Sequence, residues 1–277
     1  MKRMIAILIL LTLGVSNAIA QKYVFQDEFN EVMDWPVDSS KWVLEEGGHG
    51  WGNNEFQYYR NSKENVFHDG KGSLVMRAIK ETPPLELNCW YGPCKYTSAR
   101  IKTKGKFEAA YGRFEARIKI PRGQGIWPAF WLLGGNIDKV GWPACGEIDI
   151  MENIGREPNI VHGTVHGPGY SGANGIGGNL PGKVPYADDF HVFAVEWSEN
   201  KIEWFVDGEL FNTITPANLP AGAQWVFDHD FFIILNVAVG GNWPGSPDET
   251  TVFPQTMLID YVRVTQGNAS ERKDKDQ

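Results

Sequence analysis

Hydrophobic and polar residues alternate with a period of two along much of this chain. Phe114, Ala116, Ile118 and Ile120 are interleaved with Arg113, Glu115, Arg117 and Lys119. That is the repeat of a strand with one face in a core and one in water, and it does not fit the 3.6-residue repeat of a helix. Leu74, Met76 and Ala78 continue the pattern, as do Leu258, Asp260, Val262 and Val264, where an acid occupies one of the apolar-phase positions. Residues 190–197 and 231–239 are mostly apolar, as strands covered on both faces are. Residues 201–206 and 209–214 flank Asp207-Gly208, a pair that tolerates the positive φ angles of a type I′ turn, and so predict a hairpin. No segment of twelve or more residues carries the pattern of a core helix. Many strands between Gly- and Pro-rich turns predict an all-β fold, a sandwich of two large antiparallel sheets packed face to face.

Composition agrees with one folded unit. The 277 residues are 42% hydrophobic and include 11 Trp, too apolar and aromatic for disorder. A β-sandwich of this size forms a single core, so residues 21–265 are read as one domain. The N-terminus is read apart from it. Lys2 and Arg3 precede an apolar stretch over residues 4–15, and Asn17-Ala18-Ile19-Ala20 ends in the small-x-small pattern of signal-peptide cleavage. Residues 1–20 are therefore expected to be a signal peptide cleaved after Ala20, with the mature protein secreted. Twelve apolar residues are too few to span a bilayer, which needs about 20. Residues 266–277 are polar without apolar period and are expected to form a solvated tail.

The net charge of −8 removes the basic footprint that nucleic acid or an anionic membrane surface would require. Without Lys2 and Arg3, 24 basic residues face 34 acidic ones, and the exported chain carries about −10. Cys89 and Cys94 are near enough in sequence to close a small loop in an oxidising compartment, leaving Cys145 unpaired, although the sequence leaves the pairing open. Three thiols without a C-x-x-C motif make no case for structural zinc. Neither do His162 and His166, four apart with no Glu in H-E-x-x-H order and no Cys pair nearby.

The chemistry concentrates in Gly146-Glu147-Ile148-Asp149-Ile150-Met151-Glu152-Asn153. Glu147 and Asp149 share one face of a strand, while Ile148 and Ile150 point into a core. Like charges so close repel, and a partly buried site would push at least one pKa upward. An enzyme needing one ionised and one protonated carboxyl at the same pH has a use for that arrangement. Strict alternation sends Glu152 to the opposite face. One extra residue at Ile150-Met151, a β-bulge, would return it to the face of the other two, and we expect a bulge there. The bland alternative is an acidic, solvent-facing strand edge. Against it stand the nearby Trp residues of Gly125-Ile126-Trp127-Pro128-Ala129-Phe130-Trp131, Gly141-Trp142-Pro143 and Gly241-Asn242-Trp243-Pro244, flat surfaces on which a sugar face can stack.

The six-residue acidic motif, preceded by Trp127-Pro128-Ala129-Phe130-Trp131-Leu132 and Trp142-Pro143, resembles the signature of glycoside hydrolase family 16, in particular its laminarinase branch. The resemblance runs from Tyr23-Val24-Phe25-Gln26-Asp27-Glu28-Phe29 to Ile259-Asp260-Tyr261-Val262-Arg263-Val264. It implies a β-jelly roll with a concave sheet forming an open sugar cleft. It also implies a retaining endo-β-1,3-glucanase acting on laminarin-type β-1,3-glucan, with Glu147 as nucleophile, Glu152 as general acid/base and Asp149 supporting the nucleophile. Met151 favours the β-1,3 preference. Mixed-linkage β-1,3-1,4-glucan, agarose and carrageenan stand as alternative substrates, and a lectin without turnover as an alternative function. By the same resemblance, Asn53 and Arg100 hydrogen-bond glucose on the non-reducing side, and Trp127 and Trp131 line that side, with Trp131 nearest the scissile sugar. His166 lies near the reaction centre and Trp243 at the cleft wall. An Asx turn is the structural alternative for Asn53, and a surface ion pair for Arg100. No cofactor is implied for catalysis. A structural Ca²⁺ is implied on the convex face at Glu28, Gly72 and Asp260, through backbone oxygens and one Asp. The expected partner is the polysaccharide alone, with the protein a monomer.

Overall fold

The computed structural model describes residues 22–266. The signal peptide expected at 1–20 and all of the tail except Gln266 lie outside the described residues. Gln266 itself is docked, its side-chain amide donating to the carbonyls of Ala110 and Tyr111.

Two sheets face each other. The larger has ten strands and is built around Gly112–Lys119, which pairs with His191–Ser198 on one side and Gln255–Thr265 on the other. The smaller has seven, in the order Ile176–Pro181, Ile160–His166, Glu147–Glu152, Ile126–Gly134, Phe231–Val239, Arg100–Lys102, Val43–Leu44. Every pairing within the seven is antiparallel. Its edges are the two-residue Val43–Leu44 and the Gly- and Pro-containing Ile176–Pro181.

Period-two alternation places the core between the sheets. Phe114, Ala116 and Ile118 from the larger sheet meet Leu132, Ile148, Ile233, Leu235 and Val237 from the smaller in one contiguous buried cluster. Each such Phe, Leu, Ile or Val side chain contributes about 1.5–3 kcal/mol relative to exposure. Phe231–Val239 is buried at every position, as its apolar run predicts. The predicted hairpin is also present, with Asp207 at φ 51° and Gly208 at φ 82° between Lys201–Val206 and Glu209–Ile214.

The alternation read for Leu258, Asp260, Val262 and Val264 is corrected. The register of Gln255–Thr265 slips between Ile259 and Tyr261, so the core face is Met257, Ile259, Val262 and Val264. The extra residue resets the phase at Asp260 and keeps its carboxylate out of the core, where it accepts from Arg117 Nη1 at 2.7 Å. Both partners are about one-third exposed, so the pair adds little stability.

Cys89 and Cys94 form a disulfide across the hairpin of Leu74–Cys89 and Gly92–Ser98, and Cys145 is free and buried. At the hairpin tip Trp90 Nε1 donates to the Glu55 carbonyl at 2.7 Å and the Tyr91 hydroxyl to the Phe56 carbonyl at 2.6 Å. The closed tip thereby grips the segment that carries Asn53. Closing so short a loop removes about 2 kcal/mol of unfolded-state entropy. Cys89→Ser/Cys94→Ser is expected to lower Tm by about 4–8 °C for a domain of this size, measured by calorimetry under non-reducing conditions. An unchanged Tm would refute the contribution.

Candidate active site

The acidic strand Glu147–Glu152 lies inside the seven-stranded sheet, paired with Ile126–Gly134 and Ile160–His166. It is no exposed edge, which removes the solvent-facing alternative. Its register carries the predicted bulge. Asp149 pairs with Trp131 and Met151 with Phe130 on one side; on the other, Asp149 pairs with Thr164 and Glu152 with His162. Ile150 and Met151 together thus oppose the single residue Gly163. Both apolar side chains are fully buried in the core, and Glu147, Asp149 and Glu152 all line one groove of about 1100 Å³ on the other face.

A side-chain nitrogen stands beside each of the three carboxyls, and the two glutamates accept hydrogen bonds from indoles. Trp142 Nε1 donates to Glu147 Oε2 at 3.0 Å, and Trp127 Nε1 to Glu152 Oε1 at 3.0 Å. His166 Nε2 lies 3.2 Å from Asp149 Oδ2 and 3.7 Å from Glu147 Oε1. Burial pushes the Glu147 carboxyl up to about 8, helped by the Asp149 charge, while His166, the Trp142 indole and Arg100 pull it back. Burial also raises Asp149 to about 8. Glu152 is held well above the usual carboxylate range, first by burial and then by the Asp149 charge. Glu147 is the most exposed of the three, its side chain 17% accessible against 5% for Asp149. The environments therefore favour charge at the Glu147 end and a retained proton at Glu152. The protons leave the cluster as a set.

The other expected residues converge on the same groove. Arg100 is no loose surface pair: it stacks over Trp51 at 4.7 Å and Trp131 at 4.9 Å, and its Nε donates to Glu45 Oε2 at 2.5 Å. Trp127 and Trp131 both lie on the Arg100 side of the acidic strand. Trp131 is the register neighbour of Asp149, and its Nε1 donates to Asn236 Oδ1 at 2.8 Å. Trp243 packs edge-on against Trp127 and His162. The Asn53 amide group reaches Glu55 Oε1 at 3.4 Å, and its backbone N–H closes a turn onto the Gly50 carbonyl.

Two groove residues carry no signal in the sequence, and two more make contacts that their sequence context does not show. Trp142, a stacking candidate from its motif, also donates to Glu147, five residues on. Glu55 is buried, accepts from Gln57 and Tyr59, and is pushed up by burial. Asn236 holds Trp131 from within an apolar run. His162 is the cross-strand partner of Glu152. Glu55 and Asn236 carry no motif that marks them, and His162 is marked in sequence only by its spacing from His166.

Among the described residues, one group of side chains gathers metal-ligating atoms, namely Glu147, Asp149 and His166 within 4.8 Å of one another. The expected cation positions lie elsewhere. Asp27 pairs with Val262 and Leu74 with Ile259, which brings Glu28, the 69–73 turn and Asp260 to neighbouring places on the larger sheet. Both Glu28 oxygens accept from Arg263, at 2.8 and 2.7 Å. Both acids of this group are thus engaged by arginines, Glu28 by Arg263 and Asp260 by Arg117, and only the backbone oxygens of Glu28 and Gly72 and one Asp260 oxygen are left as hard donors there.

Comparison with known proteins matches this geometry. The family model for glycosyl hydrolases family 16 matches residues 52–263. A beta-glucanase of Rhodothermus marinus is 41% identical over 251 residues, spanning 87% of this chain and 84% of that protein. The laminarinase catalytic domain of Thermotoga maritima MSB8 superposes with a TM-score of 0.82 at 49% identity, covering 90% of this chain and 99% of that one. The endo-beta-1,3-glucanase of Pyrococcus furiosus gives 0.81 at 48% identity, over 88% and 94%. With the family model matching most of the described residues and relatives alike in sequence and fold across nearly the whole of both chains, the chain belongs to glycoside hydrolase family 16.

Proposed function

We propose that this protein is a secreted endo-β-1,3-glucanase that cleaves internal bonds of laminarin-type glucan with retention of configuration. The observation that carries the reading is the bulge at Ile150-Met151, which turns Glu147 and Glu152 to the same side of a long groove. In this reading Glu147 attacks the anomeric carbon as Glu152 gives its proton to the departing glycosidic oxygen. Water then replaces Glu147 at the anomeric carbon, with Glu152 taking the water proton, and the product keeps its β configuration. Asp149 and His166 balance charge beside Glu147. Trp142 holds the attacking carboxylate from the solvent side.

A binding protein without turnover has no need to desolvate three carboxyls, which disfavours the lectin reading. Sulfated galactans are disfavoured because Arg100 is the sole Lys or Arg among the described groove-lining residues, and Glu45 already pairs with it. The Cys89–Cys94 bond supports a destination in an oxidising compartment. For the cation, we propose Ca²⁺ held by the Glu28 and Gly72 carbonyls and Asp260, a structural role apart from the groove.

Glu147→Ser and Glu152→Ser are each expected to lower reducing-sugar release from laminarin by about 10²–10⁴-fold or more without unfolding the protein. Near wild-type turnover in either would contradict its role, and a panel with mixed-linkage glucan, agarose and carrageenan checks the substrate.

The raised carboxyls have a signed effect on stability. A folded-state pKa of about 8 for Glu147, against an ordinary 4.5, gives stability that is present at low pH and lost as pH rises through about 8. Glu147→Gln should match the wild-type Tm at pH 4 and exceed it at pH 9 by about 5 °C or more, given about 2–4 °C per kcal/mol. A lower Tm than wild type at pH 9 would refute this.

Chelation with EDTA is expected to lower Tm while sparing the rate at moderate temperature, and added Ca²⁺ to restore it. An unchanged melting curve would remove the cation from the reading.

A further inference from the structure

The bulge that aligns the two glutamates is held from behind. Trp204 belongs to Lys201–Val206 in the opposite sheet and is fully buried. Its side chain crosses the core, and its Nε1 donates to the backbone carbonyl of Asp149 at 2.7 Å. Asp149 is the last residue in regular register before the slip on both neighbouring strands.

The residue facing the bulge makes room for this contact. Gly163 stands opposite Ile150 and Met151, and a Cβ there would lie 2.4 Å from Trp204 Cδ1. Any larger residue at 163 would drive the indole off its acceptor. A buried indole N–H needs some acceptor, so the bond alone proves little. Its choice of acceptor is the informative part: Trp197 and Trp225 donate to carbonyls of Phe227 and Glu199, outside the strands, whereas Trp204 takes the carbonyl at the kink between the two glutamates.

We propose that Trp204 is a positioning residue, whose N–H bond to the Asp149 carbonyl fixes the kink and so sets Glu152 at the height from which it protonates the glycosidic oxygen. This rests on the reading of Glu152 as acid. Ile150 and Met151 sit in the buried apolar cluster, whose contacts are non-directional. A directional hydrogen bond selects one backbone path. Loss of the bond leaves the groove lined by the same residues but lets the Glu152 carboxyl drift, while Trp142 still holds Glu147.

Leaving-group dependence separates positioning from simple loss of fold. Cleavage of laminarin expels a sugar alkoxide and needs the Glu152 proton. Release of 2,4-dinitrophenolate from a dinitrophenyl β-laminaribioside does not, so kcat/KM for this glycoside, which reports the first step alone, is insensitive to where Glu152 stands. Trp204→Phe removes the N–H. Benzothienylalanine placed at 204, with sulfur in place of N–H, removes it while keeping the shape of the indole, and so remains informative if the Phe variant folds poorly. Both are expected to lose about 10–100-fold in kcat/KM on laminarin and less than about 3-fold on the aryl glycoside. Glu152→Ala serves as the reference, with the same selectivity and a larger loss. Equal losses on the two substrates, or no loss on laminarin in the benzothienyl variant, would overturn the role given to Trp204. If Glu152→Ala itself shows no selectivity between the substrates, the assignment of the acid fails instead, and the positioning role with it.

Discussion

A regular strand cannot present Glu147 and Glu152 on one face, because residues five apart fall on opposite sides of a pleat. The single extra residue at Ile150-Met151 removes that conflict, and much of the surrounding structure follows from it. Two apolar side chains must be buried where one would stand, and they go into the core between the sheets. The strand opposite offers a glycine at that level. The interrupted ladder needs another source of order, and an indole from the far sheet supplies it. The acid pair is thus the outer expression of a core arrangement.

Burying three carboxyls would be prohibitive without compensation, and the groove is organised around meeting that cost. Each acid has a nitrogen of its own nearby: Trp142 at Glu147, His166 at Asp149 and Trp127 at Glu152. Because the three environments differ in exposure and in neighbouring charge, protons are shared unequally, which is the condition for acid and nucleophile to coexist at one pH. The aromatic wall does two things at once. Trp127 and Trp142 donate to acids while presenting ring faces, and Trp131 makes its bond to Asn236 while supporting the guanidinium of Arg100.

Period and motif made the fold, the acidic strand and its kink legible before any coordinates. They fail where a second irregularity hides among apolar residues. Asp260 reads as inward because Leu258, Val262 and Val264 keep an even spacing, and nothing in that spacing reveals the slip at Ile259-Tyr261 that makes Met257 and Ile259 the core pair. Arg100 gives no hint in sequence of the two rings that enclose it, since Trp51 and Trp131 come from distant segments. Glu55 and Asn236 are likewise placed by tertiary contacts alone. Trp204 reads as an ordinary inward residue of a hairpin strand, because the carbonyl it meets belongs to a strand more than fifty residues earlier.

The borders of the seven-stranded sheet have a consequence for how copies of the molecule behave beside one another. One border strand is two residues long, and the other, Ile176–Pro181, contains adjacent glycines and ends in proline. Such borders give a neighbouring backbone little to zip onto. The sheet that carries the groove is thereby guarded against lateral pairing with another strand, with the groove left to receive a sugar polymer in place of another protein's edge.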